Sequence, residues 1–262
     1  MLSAEQITHN WEKFLELIKT GISGERGEKL LSFYDQYADR IALMPASGKT
    51  SYHNAFAGGY VDHVLRVILL SMKISKLWKE SGAIQDFTDE ELIFVALNHD
   101  LGKFGTLEHE EYLQENEDYW IKKGQVYKHN PDIDFMKTSE RSLFLLQQLG
   151  ISLTQNEYLG IKLHDGLYEE GNKGYYIAYS EEYRLRSNLP YIIHQADLLA
   201  TRIEHDTIAK PAAKVISGKN TVSSREKMMG KPSTKIENTL PPPSPNPVKS
   251  SNKKYSSLLS SI

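Results

Sequence analysis

Thr88-Asp-Glu-Glu-Leu-Ile-Phe-Val-Ala-Leu-Asn-His-Asp-Leu-Gly-Lys103 is the stretch on which the fold turns. Thr88 and Glu91 have the spacing of a capping box, in which the threonine hydroxyl and the glutamate carboxylate satisfy two orphan N–H groups of a helix start. The box opens an apolar run, so Leu92 to Asn98 is predicted helical. The helix closes on a His99-Asp100 doublet, and Gly102 breaks the chain just beyond it.

The same grammar repeats outward from there. Ser3-Ala-Glu-Gln6 has the capping-box spacing and precedes Trp11, Phe14, Leu15 and Ile18 at helical intervals; Leu30 to Ile41 continues in kind. Gly58-Gly59 breaks the chain ahead of Val61, Val64, Leu65, Ile68, Leu69 and Met72. Thr154-Gln-Asn-Glu157 is a third box, opening Tyr158 to Leu163, and Pro190 suits the first turn of a helix running through Ile192 to Ile203. Tyr112 to Asn130 is aromatic, polar and broken by glycine, with room for a short hairpin. There is no internal repeat and no alternation of strands with helices, so the expected class is an all-α helical bundle.

Composition narrows the chemistry. The 262 residues carry 31 Lys+Arg against 34 Asp+Glu and are 40% hydrophobic, enough for a sizeable core. The absence of cysteine excludes disulfides, thiolate-bound zinc, iron–sulfur clusters and thiol catalysis. No GxxxxGK[ST] or GxGxxG phosphate loop and no GxSxG elbow occurs. No apolar run approaches the ~20 residues of a membrane span, and Met1 to Gln6 lacks the basic-then-apolar pattern of a signal peptide. A cytoplasmic protein with no membrane association is expected.

Charge is uneven. Residues 207–262 hold ten Lys/Arg against two Asp/Glu and seven of the ten prolines, while the preceding 206 residues are acidic overall. Such a segment offers too little apolar surface to offset the entropy of ordering, so it reads as a disordered basic tail after a domain of residues 1–206. The tail is either a solvated appendage or a contact for a partner or nucleic acid.

Histidines and aspartates sit where helices start and stop: His63 after Gly58-Gly59, His99-Asp100 after the second capped helix, His164-Asp165-Gly166 after the third, and Asp197 within an apolar helix beside His194. Imidazole nitrogen with carboxylate oxygen suits zinc, manganese, iron, cobalt, nickel or magnesium. A carboxylate in Tyr-Ile-Ile-His-Gln-Ala-Asp197 is expected to be buried and therefore paired, hydrogen-bonded or metal-bound. The alternative pairs Asp197 with Arg202 or Lys162 and leaves His63 as a satisfied core histidine.

Taken in order, Ser51-Tyr-His-Asn-Ala-Phe-Ala-Gly-Gly-Tyr-Val-Asp-His63, Leu97-Asn-His-Asp-Leu-Gly-Lys103, Ile161-Lys-Leu-His-Asp-Gly166 and His194-Gln-Ala-Asp197 resemble the HD-domain metal-dependent phosphohydrolase superfamily, in its Gly-Gly-x-x-x-His branch. The resemblance spans roughly Ser51 to Glu204 and implies an all-α fold. It implies His63, His99, Asp100 and Asp197 as ligands of a divalent ion, Lys103 as a group facing substrate phosphate, and His164 as a ligand of a second metal or of substrate. There are departures. Thr138 stands where relatives often have a histidine, and Asp165 follows His164 where some two-metal branches have a second histidine; both favour one ion over two. Lys103 replaces a glutamate found in one deoxynucleotidase branch, so that branch's substrate does not transfer.

A metal so held would activate water against a phosphate, with Lys103 as a point charge and His164 as a donor. Arg141, Asp165 and Tyr168 are candidate substrate contacts, and His53 and His194 candidate supports behind the ligands; His109, His129 and His205 are expected at the surface. Tyr112, Tyr119, Trp120, Tyr127, Tyr168, Tyr175, Tyr176 and Tyr179 form an aromatic set suited to stacking on a base, or to core and rim. Gly166 to Tyr179 has the composition of a flap. The expected activity is hydrolysis of a nucleotide's phosphate ester or anhydride. Cleavage of oligonucleotides as a phosphodiesterase or 3′–5′ exonuclease is an alternative, as is a non-catalytic binding module.

Overall fold

All three capping boxes form as read. In a computed structural model, which describes residues 1–209 apart from 179, the backbone N–H groups of Ser3, Thr88 and Thr154 each donate to the side chain three residues on, at 2.8 Å. The helices they open are α1 (Ala4–Gly21), α5 (Asp89–Asn98) and α8 (Gln155–Leu163). Between α1 and α5 come α2 (Gly24–Gln36), α3 (Ala38–Leu43) and α4 (Gly59–Glu80). After α5 come a short α6 (Asp118–Lys122) and α7 (Thr138–Gln148); after α8 come a single-turn α9 (Lys173–Tyr176) and α10 (Leu189–Ala209). The described residues are thus mostly helical. The disordered tail expected from 207 starts inside α10, which runs through Ala209, and from 210 onward it lies outside the described residues. Among the described residues no helix is long and apolar enough to cross a membrane.

The stretch Leu30 to Ile41 is not one helix. It breaks at Tyr37, whose ring packs 5.3 Å from Phe33 and 5.1 Å from Phe104, a tertiary contact that periodicity does not announce. The break before α4 is sharper: Gly58 adopts φ +82°, open to glycine at little cost, and α4 starts directly after it.

α4 runs along α10 and against α5, and α8 packs on both α5 and α10. The apolar faces so joined bury Phe14, Ile18, Leu30, Val64, Ile68, Ile93, Leu97, Ile161 and Ile193 completely. The hairpin expected between Tyr112 and Asn130 is present. β1 (Tyr112–Gln114) pairs antiparallel with β2 (Tyr127–His129), and α6 sits in the connection. A bridge between Lys49 and Gln125 ties the hairpin to the segment leading to His53.

One glycine fixes where the His-Asp doublet ends up. A Cβ on Gly102 would run into the Thr138 carbonyl oxygen, so only glycine lets the Leu101–Phe104 turn lie this close to the start of α7. Ser142 of α7 then staples the turn: its hydroxyl accepts from the Gly102 N–H at 2.7 Å and donates toward the carbonyls of Thr138 and His99, at 2.9 and 3.0 Å.

Candidate functional site

Three helices converge on one point. α4 delivers His63, the end of α5 delivers His99 and Asp100, and the middle of α10 delivers Asp197. His63 Nε2 lies 3.2 Å from Asp197 Oδ1 and 3.6 Å from Asp100 Oδ2, and His99 Nε2 lies 3.5 Å from the same Asp100 oxygen. Four residues from three helices thus meet through contacts of 3.2 to 3.6 Å.

The imidazoles are pinned from behind. His99 Nδ1 bonds the Ala96 carbonyl at 2.9 Å, His164 Nδ1 the Ile161 carbonyl at 2.8 Å, and His194 Nδ1 the His164 carbonyl at 2.8 Å. A carbonyl only accepts, so Nδ1 carries the hydrogen in each case and Nε2 is the lone pair of the neutral ring. His63 is held the same way by a carboxylate, with Nδ1 at 3.1 and 3.2 Å from the two oxygens of Glu204. The Nε2 atoms of His63 and His99 are buried without a hydrogen-bond partner, a placement that is costly unless something electrophilic faces them. Two inward lone pairs beside two carboxylates form a donor set that fits a divalent cation of the zinc, manganese or iron kind.

Electrostatics agrees with a site short of positive charge. Burial disfavours protonation of His63, but the Glu204 and Asp197 carboxylates outweigh it and lift its pKa to about 10, so that with no cation bound the ring holds a proton that an ion at Nε2 would displace. Burial dominates at His99 and pushes it down to about 4, so that ring stays neutral. Burial alone would raise Asp100, yet the Lys103 charge and the surrounding imidazoles hold it well below the usual carboxylate range. Lys103 Nζ sits 2.6 Å from Asp100 Oδ2, which keeps the nearly buried ammonium charged.

The centre forms the floor of a cleft of about 1000 Å³. His63 and His99 lie fully buried beneath it, while Asp100, Lys103, His164, Asp165, Asp197, His194, His53, Arg141 and Tyr168 all line it. Asp197 is less buried than its apolar sequence suggests, with 18% of its side chain open to the cleft. Lys162, offered as its partner, pairs instead with Glu140 at 2.8 Å. His164, Asp165 and Asp197 also bring ligand atoms within 4.8 Å of one another, a second donor group next to the first. The His53 ring lies 4.6 Å from that of His63, tilted against it, and is held neutral, pushed down to about 2 by burial and the nearby Lys103 charge.

Arg141 is buried and tied to Glu111 and to the Asp134 carbonyl, so it faces the cleft with partners in place. Of the aromatic set, Tyr112 and Tyr168 line the cleft; Tyr119, Trp120, Tyr127, Tyr175 and Tyr176 do not, and Tyr179 lies outside the described residues. Tyr176 instead packs 6.0 Å from the His194 ring. His205, expected at the surface, is partly exposed there, on the wall of the cleft. The proposed flap is built of two short 3-10 turns and α9.

No family model matches this chain, and neither a curated protein nor a solved structure matches it.

Sequence reasoning missed two things. Glu204, which holds His63, carried one available signal: an acidic residue two helical turns after Asp197, on the same face. Tyr52 and Phe135 are 55% and 91% exposed on the cleft rim; Tyr52 had the signal of its neighbour His53 in the first motif, whereas nothing in the local sequence of Phe135 places it at the cleft.

Proposed function

We propose that the chain is a metal-dependent phosphohydrolase of the HD-domain type that cleaves a phosphate ester or anhydride bond of a nucleotide. The observation that carries this reading is the pair of buried, partnerless Nε2 atoms of His63 and His99 facing Asp100 and Asp197 at the floor of an open cleft. These four residues would hold the ion. A divalent cation there supplies a Lewis acid that acidifies water and offsets charge developing on phosphorus.

The chain's own side chains account for the rest. Lys103 presents a fixed positive charge at the edge of the centre, suited to a phosphate oxygen. His164, 3.6 Å from both Asp100 and Asp165, loses basicity to burial but more than regains it from the Asp165, Asp100 and Asp197 carboxylates. It can therefore hold a proton to give to the leaving oxygen. Asp165 stands open to the cleft, and Arg141, paired with Glu111, lines the same cleft as a second cation. The exposed rings of Tyr52, Phe135 and Tyr168 on the rim favour a substrate carrying a base, and they equally support a second reading, cleavage of a short oligonucleotide.

The test is phosphate release by the full chain from a nucleotide panel in Mn²⁺, Co²⁺, Ni²⁺, Fe²⁺, Zn²⁺ or Mg²⁺, alongside a labelled oligonucleotide. Turnover with at least one ion is expected, and Asp100→Ala is expected to lose both the bound metal and the turnover. Full activity and unchanged metal content in Asp100→Ala would remove the proposal, as would silence with every ion and substrate.

A further inference from the structure

Behind His63, on the side away from the cleft, lies a carboxylate that the proposed reaction does not use. Glu204 is on α10 two turns beyond Asp197, and its side chain is 1% exposed. A buried carboxylate needs compensation. Glu204 has it from two sides: His63 Nδ1 at 3.1 and 3.2 Å, and Arg66 Nε, which donates to Oε1 at 3.1 Å. Arg66 is one turn after His63 on α4, so the same two helices supply the imidazole, the carboxylate and its counter-charge.

We infer that Glu204, backed by Arg66, is a positioning residue that fixes the His63 ring with its hydrogen on Nδ1 and its Nε2 lone pair aimed at the ion. The inference rests on the metal centre proposed above. A hydrogen bond from a ligating imidazole to a carboxylate sets the tautomer, limits ring rotation and makes the other nitrogen a better donor. The His63 ring has no other group at Nδ1, so without Glu204 either nitrogen can carry the hydrogen. Glu204 is near enough to His53 and His63 to be considered a ligand itself. Its place on the Nδ1 side, with one oxygen already engaged by Arg66, assigns it to orientation instead.

Zn²⁺ binding to the full chain, measured by calorimetry, separates these roles. Glu204→Ala is expected to weaken Zn²⁺ about 10- to 100-fold. Glu204→Gln keeps the shape and an oxygen that accepts from Nδ1, so it is expected to recover most of that loss; Glu204→Met, of similar volume but with no such oxygen, takes the place of the alanine variant if that one fails to fold. Ring ¹⁵N shifts of the Zn²⁺-loaded protein are expected to show His63 protonated at Nδ1 in the wild type and in Glu204→Gln. The inference is overturned if a folded Glu204→Ala, or Glu204→Met in its place, binds Zn²⁺ as the wild type does with the same ¹⁵N pattern. It is equally overturned if Glu204→Gln is as damaging as Asp197→Asn, the result expected of a direct ligand. A wild type that binds no Zn²⁺ marks failure of the metal centre itself, and takes this inference with it.

Discussion

Glu111 engages two partners at once. One carboxylate oxygen bonds His129 Nδ1 at 2.6 Å and the other pairs with Arg141, so the hairpin is clamped to α7 beside the cleft. The hydrogen bond to Glu111 raises the His129 pKa above its ordinary 6.5. A raised folded-state value means that the contribution is full below 6.5 and is lost as pH climbs through the raised value. An NMR titration of the His129 ring is expected to give a midpoint above 6.5, and Glu111→Gln is expected to lower that midpoint. Gly166 is the second residue with a checkable demand. It sits at φ +57°, and a Cβ there would enter the His194 ring. Gly166→Ala is expected to cost about 2–3 kcal/mol in denaturant unfolding, from the left-handed backbone and the displaced ring together.

At the scale of elements, the helix starts were the most legible part of the chain, because a capping box is a local exchange of hydrogen bonds that four consecutive residues complete. Thr88→Ala is expected to cost about 1 kcal/mol of global stability, read from the shift in urea midpoint. The box at Thr154 does more than its sequence says. Glu157, fully buried, caps α8 and also takes two hydrogen bonds from Arg26 of α2, at 3.0 and 2.7 Å. Removing Arg26 leaves a buried carboxylate half-compensated, so Arg26→Ala is expected to cost about 3 kcal/mol in the same measurement. No pattern around Arg26 announces that partner, 131 positions away. The break at Tyr37 was hidden for the same reason: the rings that fix it come from two elements.

For the molecule as a whole, the packing of α4, α5 and α10 brings the doublet, His63 and Asp197 to the floor of one cleft. A ligand that binds only the folded chain stabilises it by mass action, about 2.7 kcal/mol at a hundred times its Kd. For a domain of this size that corresponds to a Tm increase of roughly 5–10 °C. Scanning calorimetry is expected to show such an increase with the activating ion and its reversal by EDTA. An unchanged Tm over the same range of ion concentration would count against a metal bound by these four residues.

The sequence by itself determined most of the long helices, the three capped starts, and which residue types stand at those helix ends, since caps, periodicity and glycine breaks act over a few residues. It also determined the order of the His and Asp motifs, from which a metal centre could be expected. Only the tertiary structure decided that His63, His99, Asp100 and Asp197 share a point, that Glu204 stands behind His63, and that Arg141 reaches the cleft already paired. Those facts depend on the angles at which helices pack, and such angles are set by the interlocking of whole faces from distant parts of the chain.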